Sequence, residues 1–141
     1  MMEKLKAVII EDEEISRDIL KNYLIKYCPD ISYCGEATNI TDGKKLIEKI
    51  APNIVFLDIE MPYGNGFDLL EQLDEINFDV VFITAYSHYA IKALNLSAAY
   101  YILKPIDIDE LISAVEKIKQ EQKTKPFVKT TCGEILFLRH L

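Results

Sequence analysis

Ile54-Val55-Phe56-Leu57-Asp58-Ile59-Glu60-Met61-Pro62 is the stretch on which the fold turns: four apolar residues without alternation, an acid, and then a loop carrying Pro62, Gly64 and Gly66. A strand with one wet face alternates polar and apolar residues, whereas an unbroken apolar run suits a strand buried on both faces of a parallel sheet. Val80-Val81-Phe82-Ile83 repeats the pattern. Working outward, strands are predicted at Leu5–Ile10, Ile31–Ala37, Ile54–Leu57, Val80–Thr84 and Ala99–Leu103. Helical spacing follows each of them. The first helix carries Ile15, Ile19, Leu20, Tyr23, Leu24 and Tyr27 on its apolar face and stops at Cys28-Pro29. Further helices are expected near Ile40–Ile50, Phe67–Leu73, His88–Leu94 and Asp107–Glu121. Five strand–helix units in alternation predict a doubly wound α/β domain, its parallel sheet covered by helices on both faces.

The chain has 141 residues, which suits one domain, and with 50% hydrophobic against 28% charged residues it can bury enough surface to fold alone. A formal net charge of −7 disfavours phosphate backbones and anionic lipid as partners. The tail differs: beyond residue 122, Lys123, Lys125, Lys129 and Arg139 face Glu134 alone. The expected division is a domain over 1–122, a polar linker over 123–126, and two short strands about a Gly turn over 127–141. Cys28, Cys34 and Cys132 are odd in number and form no C-x-x-C pair, so reduced thiols and a cytoplasmic location are expected. No apolar run is long enough for a signal peptide or a spanning helix, and no membrane partner is expected.

In an open parallel sheet, ligands bind beyond the carboxyl ends of the strands. Glu11 and Asp12 follow the first strand, Asp58 follows the third, Thr84 ends the fourth, and Lys104-Pro105 follows the fifth. Each has an ordinary explanation alone, as a cap, a strand residue or a solvated charge. Together they place three acids, a hydroxyl and an amine on one rim. Clustered carboxylates repel one another without a cation, and an all-oxygen donor set favours a hard ion such as Mg2+. Asp58 is then a candidate nucleophile toward a phosphorus donor, with Thr84 and Lys104 to meet the charge of an aspartyl phosphate.

Val8-Ile9-Ile10-Glu11-Asp12-Glu13, Phe56-Leu57-Asp58-Ile59-Glu60-Met61-Pro62, Ile83-Thr84-Ala85 and Leu103-Lys104-Pro105 resemble the signature segments of two-component response-regulator receiver domains, over about residues 5–122. That resemblance implies a flavodoxin-like sheet of order 2-1-3-4-5. It implies phosphorylation of Asp58 by a sensor histidine kinase, with self-catalysed transfer and hydrolysis in place of enzymatic turnover. Mg2+, with Mn2+ able to stand in, would be held by Asp12, Asp58, Glu11 through water, and the backbone carbonyl of Glu60. Thr84 and Lys104 would contact the phosphoryl group, and Tyr101 would act with Thr84 as the switch. Glu60 and Tyr86 would tune hydrolysis, and a cis Lys104–Pro105 peptide would point Lys104 into the site. A homodimer through the face of the fourth helix, fifth strand and fifth helix is a further implied partner. Glu11 stands where the family more often has Asp. The run Thr84-Ala85-Tyr86-Ser87-His88-Tyr89-Ala90, with Phe127-Val128-Lys129 and Gly133-Glu134-Ile135, resembles the LytTR group of transcriptional regulators, in which 127–141 would open a DNA-binding domain. DNA binding would then need a complete effector domain, and the alternative is a native extension packed on the receiver.

Three other readings compete. A haloacid dehalogenase-like phosphatase also uses an aspartate nucleophile after a parallel strand, and Asp58-Ile59-Glu60 is similar to its D-x-D, but the second Asp is missing and Glu11 and Asp12 precede the nucleophile. In an FMN binder the acids at Glu11–Glu14 would repel the cofactor's phosphate. A pseudo-receiver that only binds proteins is disfavoured because no key position is lost. His88 and His140 stand apart from any Cys or His cluster, so zinc and a Ser/His/Asp triad lack support.

Overall fold

The computed structural model describes residues 4–96 and 99–124, so the tail over 127–141 and its expected strands lie outside the described residues. The elements run β1 (Leu5–Ile10), α1 (Glu14–Tyr27), β2 (Ile31–Ala37), α2 (Ile40–Ile50), β3 (Ile54–Leu57), α3 (Gly66–Gln72), β4 (Asp79–Thr84), α4 (Ala90–Leu94), β5 (Ala99–Leu103) and α5 (Ile108–Thr124). The five strands form one parallel sheet of order β2-β1-β3-β4-β5. Successive side chains of a strand leave opposite faces, so each unbroken apolar strand feeds two cores. Ala7, Ile9, Ile54, Phe56, Val81, Ile83 and Ile102 pack against α1 and α5. Val8, Ile10, Val55, Leu57, Val80 and Phe82 face the other way, against α2, α3 and α4.

Local signals set the helix starts. Asn39 caps α2 by accepting the Asp42 N–H at 2.8 Å, and Asn65 and Asp68 form a reciprocal capping box on α3. Two expectations shift. The stripe read on α1 narrows, since Leu20 and Leu24 are buried while Ile15 is 75% exposed and Ile19 41%. Those two sit on the flank of the helix, and Ile19 lines a groove with Ser16, Tyr23, Lys104, Pro105 and Ile106. The helix α5 also extends to Thr124, two residues into the segment read as linker, because nothing disfavours helix before the residue preceding Pro126.

Candidate functional site

The register of the central strands builds the site. Ile10 of β1 lies beside Leu57 of β3, so Glu11 and Asp58 leave the sheet side by side, and the Asp58 N–H donates to the Ile10 carbonyl at 3.0 Å. Thr84 of β4 pairs with Leu103 of β5, and the Lys104 N–H donates to the Thr84 carbonyl at 2.8 Å. Carboxylate oxygens of Glu11, Asp12 and Asp58 all lie within 4.8 Å of one another. Glu11, Asp58 and Thr84 are buried, and Asp12 is partly exposed.

The Lys104 ammonium reaches into the acids, 2.6 Å from Glu11 Oε1, 3.3 Å from Asp58 Oδ2 and 3.6 Å from Glu13 Oε1. Asp58 Oδ1 accepts the Ile59 N–H at 2.7 Å, and Glu11 Oε2 accepts the Glu13 N–H at 3.2 Å. Burial pushes the Glu11 carboxyl up to about 7 and the Asp58 charge adds to it, against the opposing bond from Lys104. Burial alone would lower the Lys104 ammonium, but its bond to Glu11 and the charge of Asp58 outweigh that and hold it above the ordinary lysine value. One cation among three acids leaves an unbalanced negative charge. Such a donor set, all oxygen and crowded, fits a small divalent cation. The residues expected to hold Mg2+ by their side chains are thus together.

Thr84 Oγ1 accepts the Tyr86 N–H at 3.3 Å. Tyr101 is half-buried against Phe82 and donates its hydroxyl to the Tyr86 carbonyl. Tyr86 itself is 42% exposed. Glu60 lies in the loop after Asp58, and its carboxylate accepts the Tyr89 hydroxyl at 2.8 Å. The Lys104–Pro105 peptide is cis.

Two contributors escape a reading of the sequence. Arg17 Nη1 donates to the carbonyls of Glu11 at 2.9 Å and Asp12 at 3.1 Å, and its Nε binds Glu36 Oε2 at 3.1 Å. A lone cation in the second turn of a helix is ordinarily solvated, and no spacing signals that it folds back over the helix start. Tyr89 stands inside the quoted Thr84–Ala90 run, but only the fold brings it to Glu60 across two loops. His88 is exposed. Cys28 and Cys34 are free thiols.

A five-stranded 2-1-3-4-5 sheet with acids, a threonine and a lysine at its carboxyl edge defines a receiver of the kind used in phosphorelay signalling. Residues 7–116 match the response regulator receiver domain family, and the chain belongs to it. It is 38% identical over 128 residues to a response regulatory protein of Vibrio cholerae, 90% of this chain and 54% of that one. It is 35% identical to the sensory transduction protein LytT of Bacillus anthracis, over 86% of this chain and 50% of the relative. The transcriptional regulatory protein BtsR of Escherichia coli is 37% identical over 84% of this chain and 49% of its own length. The chain therefore spans about half the length of the curated relatives it matches. Among solved structures, the response regulatory domain of mrkE from Klebsiella pneumoniae superposes with a TM-score of 0.76 at 26% identity, covering 84% of this chain and 98% of that one. A DNA-binding response regulator from Staphylococcus aureus does so at 0.70 and 33% identity, over 81% of this chain and 98% of its own. No helix among the described residues is long and apolar enough to cross a membrane.

Proposed function

We propose that this receiver accepts a phosphoryl group on Asp58 from a sensor histidine kinase in a Mg2+-dependent reaction, and thereby switches a C-terminal transcriptional effector of the LytTR kind in the cytoplasm. The observation that carries the reading is the juxtaposition of the Glu11, Asp12 and Asp58 oxygens, within 4.8 Å, with the Lys104 ammonium at 3.3 Å from Asp58.

An Asp58 oxygen attacks the phosphorus of a phosphohistidine, an O–P bond forms as the N–P bond breaks, and the imidazole leaves with that electron pair and takes a proton from solvent. Lys104 then binds the incoming phosphoryl oxygens. The Thr84 hydroxyl keeps its proton free to donate, since its oxygen is the acceptor of the Tyr86 N–H. Glu11, Asp12, Asp58 and the Glu60 carbonyl would hold Mg2+, or Mn2+ in its place, and the ion supplies charge neutralisation around the transferring group. Movement of Thr84 toward the phosphoryl oxygens pulls the Tyr86 segment, to which the Tyr101 hydroxyl is bonded. Tyr101 follows inward, and the face of α4, β5 and α5 changes shape for a partner or a second copy of the chain. A phosphatase reading gains nothing from these contacts, and a pseudo-receiver has no use for a complete acid, hydroxyl and amine set.

Intact mass after incubation with a small acyl phosphate tests the proposal. One phosphoryl group is expected with Mg2+ and none in excess chelator. Unchanged labelling of Asp58→Asn, or full labelling in chelator, would overturn it.

A further inference from the structure

We infer that Arg17 is a positioning residue for the acids that hold the metal, fixing the loop after β1 so that Glu11 and Asp12 converge on Asp58. The inference rests on the reading of those three carboxylates as a Mg2+ site.

The guanidinium ties three pieces of chain together: the loop after β1, its own helix α1, and β2, the strand paired with β1. One nitrogen, Nη1, serves two successive carbonyls, those of Glu11 and Asp12, at 2.9 and 3.1 Å. Two captured peptide planes in a row fix the backbone from which both acid side chains project. The Nε side is tied to Glu36 of β2 at 3.1 Å, and Glu36 in turn accepts the Tyr33 hydroxyl. The Lys21 ammonium lies over the Tyr33 ring at 5.0 Å from its centroid. The Glu11 N–H is meanwhile bound to the Ala37 carbonyl, one residue past Glu36, at 3.0 Å. The loop is therefore held from α1 and from the sheet edge at once. The Arg17 side chain is only 12% exposed and its two carbonyl bonds are partly buried, whereas the bond to Glu36 lies at the surface; at the shielded end a planar fork of donors outperforms a point charge. Groups that orient metal ligands without touching the metal commonly set its affinity by about 10–100-fold.

The sign of the effect separates positioning from simple electrostatics. Removing a cation near a divalent-ion site should tighten metal binding by Coulomb's law, whereas removing a positioning group should weaken it. A purely structural Arg17 would lower stability and leave affinity alone.

Calorimetric Mg2+ titration of the full chain, with urea unfolding run in parallel, tests this on Arg17→Met, which keeps the apolar stem and loses every donor. The dissociation constant is expected to rise about tenfold or more. Arg17→Lys, with one nitrogen to share among three oxygens, should fall between it and the unsubstituted chain, and it carries the same readout should the methionine variant fail to fold. Glu36→Gln, which leaves both carbonyl contacts in place, should change affinity less than either. An unchanged or smaller dissociation constant in both Arg17 variants overturns the inference alone. A native chain that binds no Mg2+ overturns the reading of the acid cluster as well.

Discussion

Lys104 is bound more closely to Glu11, at 2.6 Å, than to Asp58, the proposed acceptor, at 3.3 Å. The ammonium thus neutralises the very carboxylates that a divalent ion would neutralise, and the two cations repel across a few ångströms. Even under full aqueous screening, such a repulsion is on the order of 1 kcal/mol per pair of unit charges at ~4 Å. Lys104→Met should therefore bind Mg2+ about tenfold more tightly while losing most of its phosphoryl acceptance. Calorimetric titration beside a labelling time course checks both halves, and weaker Mg2+ binding in the variant would count against the competition.

Gly66 opens α3 at a point of close approach. A Cβ there would stand 2.6 Å from the Asp58 carbonyl oxygen and 3.0 Å from Leu57 Cγ. Helix propensity alone favours alanine over glycine by about 1 kcal/mol, yet the clash with backbone should prevail. Gly66→Ala is expected to lose about 1–3 kcal/mol in urea unfolding and, on the proposed function, to slow phosphorylation by displacing Asp58. A stabilised variant would show that propensity wins and that the loop yields freely.

The Tyr86 ring stands on the rim, 42% exposed, edge-on to Tyr89 at 6.4 Å between centroids. We propose, as the family resemblance implies, that this ring obstructs the in-line approach of water to a phosphorylated Asp58, with the Glu60 carboxylate repelling a hydroxide-like nucleophile. Tyr86→Ala leaves the backbone carbonyl that Tyr101 uses, so it isolates the ring. We expect a phosphorylated lifetime shortened severalfold, read from the decay of the phosphorylated mass. A lengthened lifetime would refute shielding.

Glu36 carries a pH signature. The Tyr33 hydroxyl bond, aided by Arg17 against a smaller opposing effect of burial, holds its carboxyl below the usual value. A depressed carboxyl stabilises the fold above its unfolded pKa of about 4.3 and loses that contribution as pH falls through the lower folded value. Glu36→Gln should thus be less stable than the native chain at neutral pH, with the gap closing on acidification below about pH 4. A gap that stays constant down to pH 3 would show that the charge contributes nothing.

Much of this arrangement was legible in the sequence because the central strands are apolar on both faces and end abruptly in polar residues. Ile54–Leu57 with Asp58, and Val80–Ile83 with Thr84, announce both the sheet and its working edge. The acid cluster followed from topology, since parallel strands bring their carboxyl ends together. What stayed hidden depends on angles that periodicity does not encode. Ile15 and Ile19 share spacing with Leu20 and Leu24, yet α1 is rotated so that only the latter pair faces the core. Arg17 acts by folding back over the start of its own helix, and Tyr89 through a contact that exists only once two loops distant in sequence are adjacent. The limit of α5 was blurred because Lys123 and Thr124 are polar but do not break a helix.

The short strand β3 has a consequence for how a message leaves the site. All four of its residues are buried, it is paired on both sides, and the Asp58 N–H extends that ladder by its bond to Ile10. Asp58, the proposed acceptor, is therefore anchored to a strand that is buried and paired on both sides, and charging it would displace its own main chain very little. Whatever a partner senses must be written by the side chains and loops that gather round a stationary post, so the fold behaves less as a lever than as a fixed mould into which its surroundings settle.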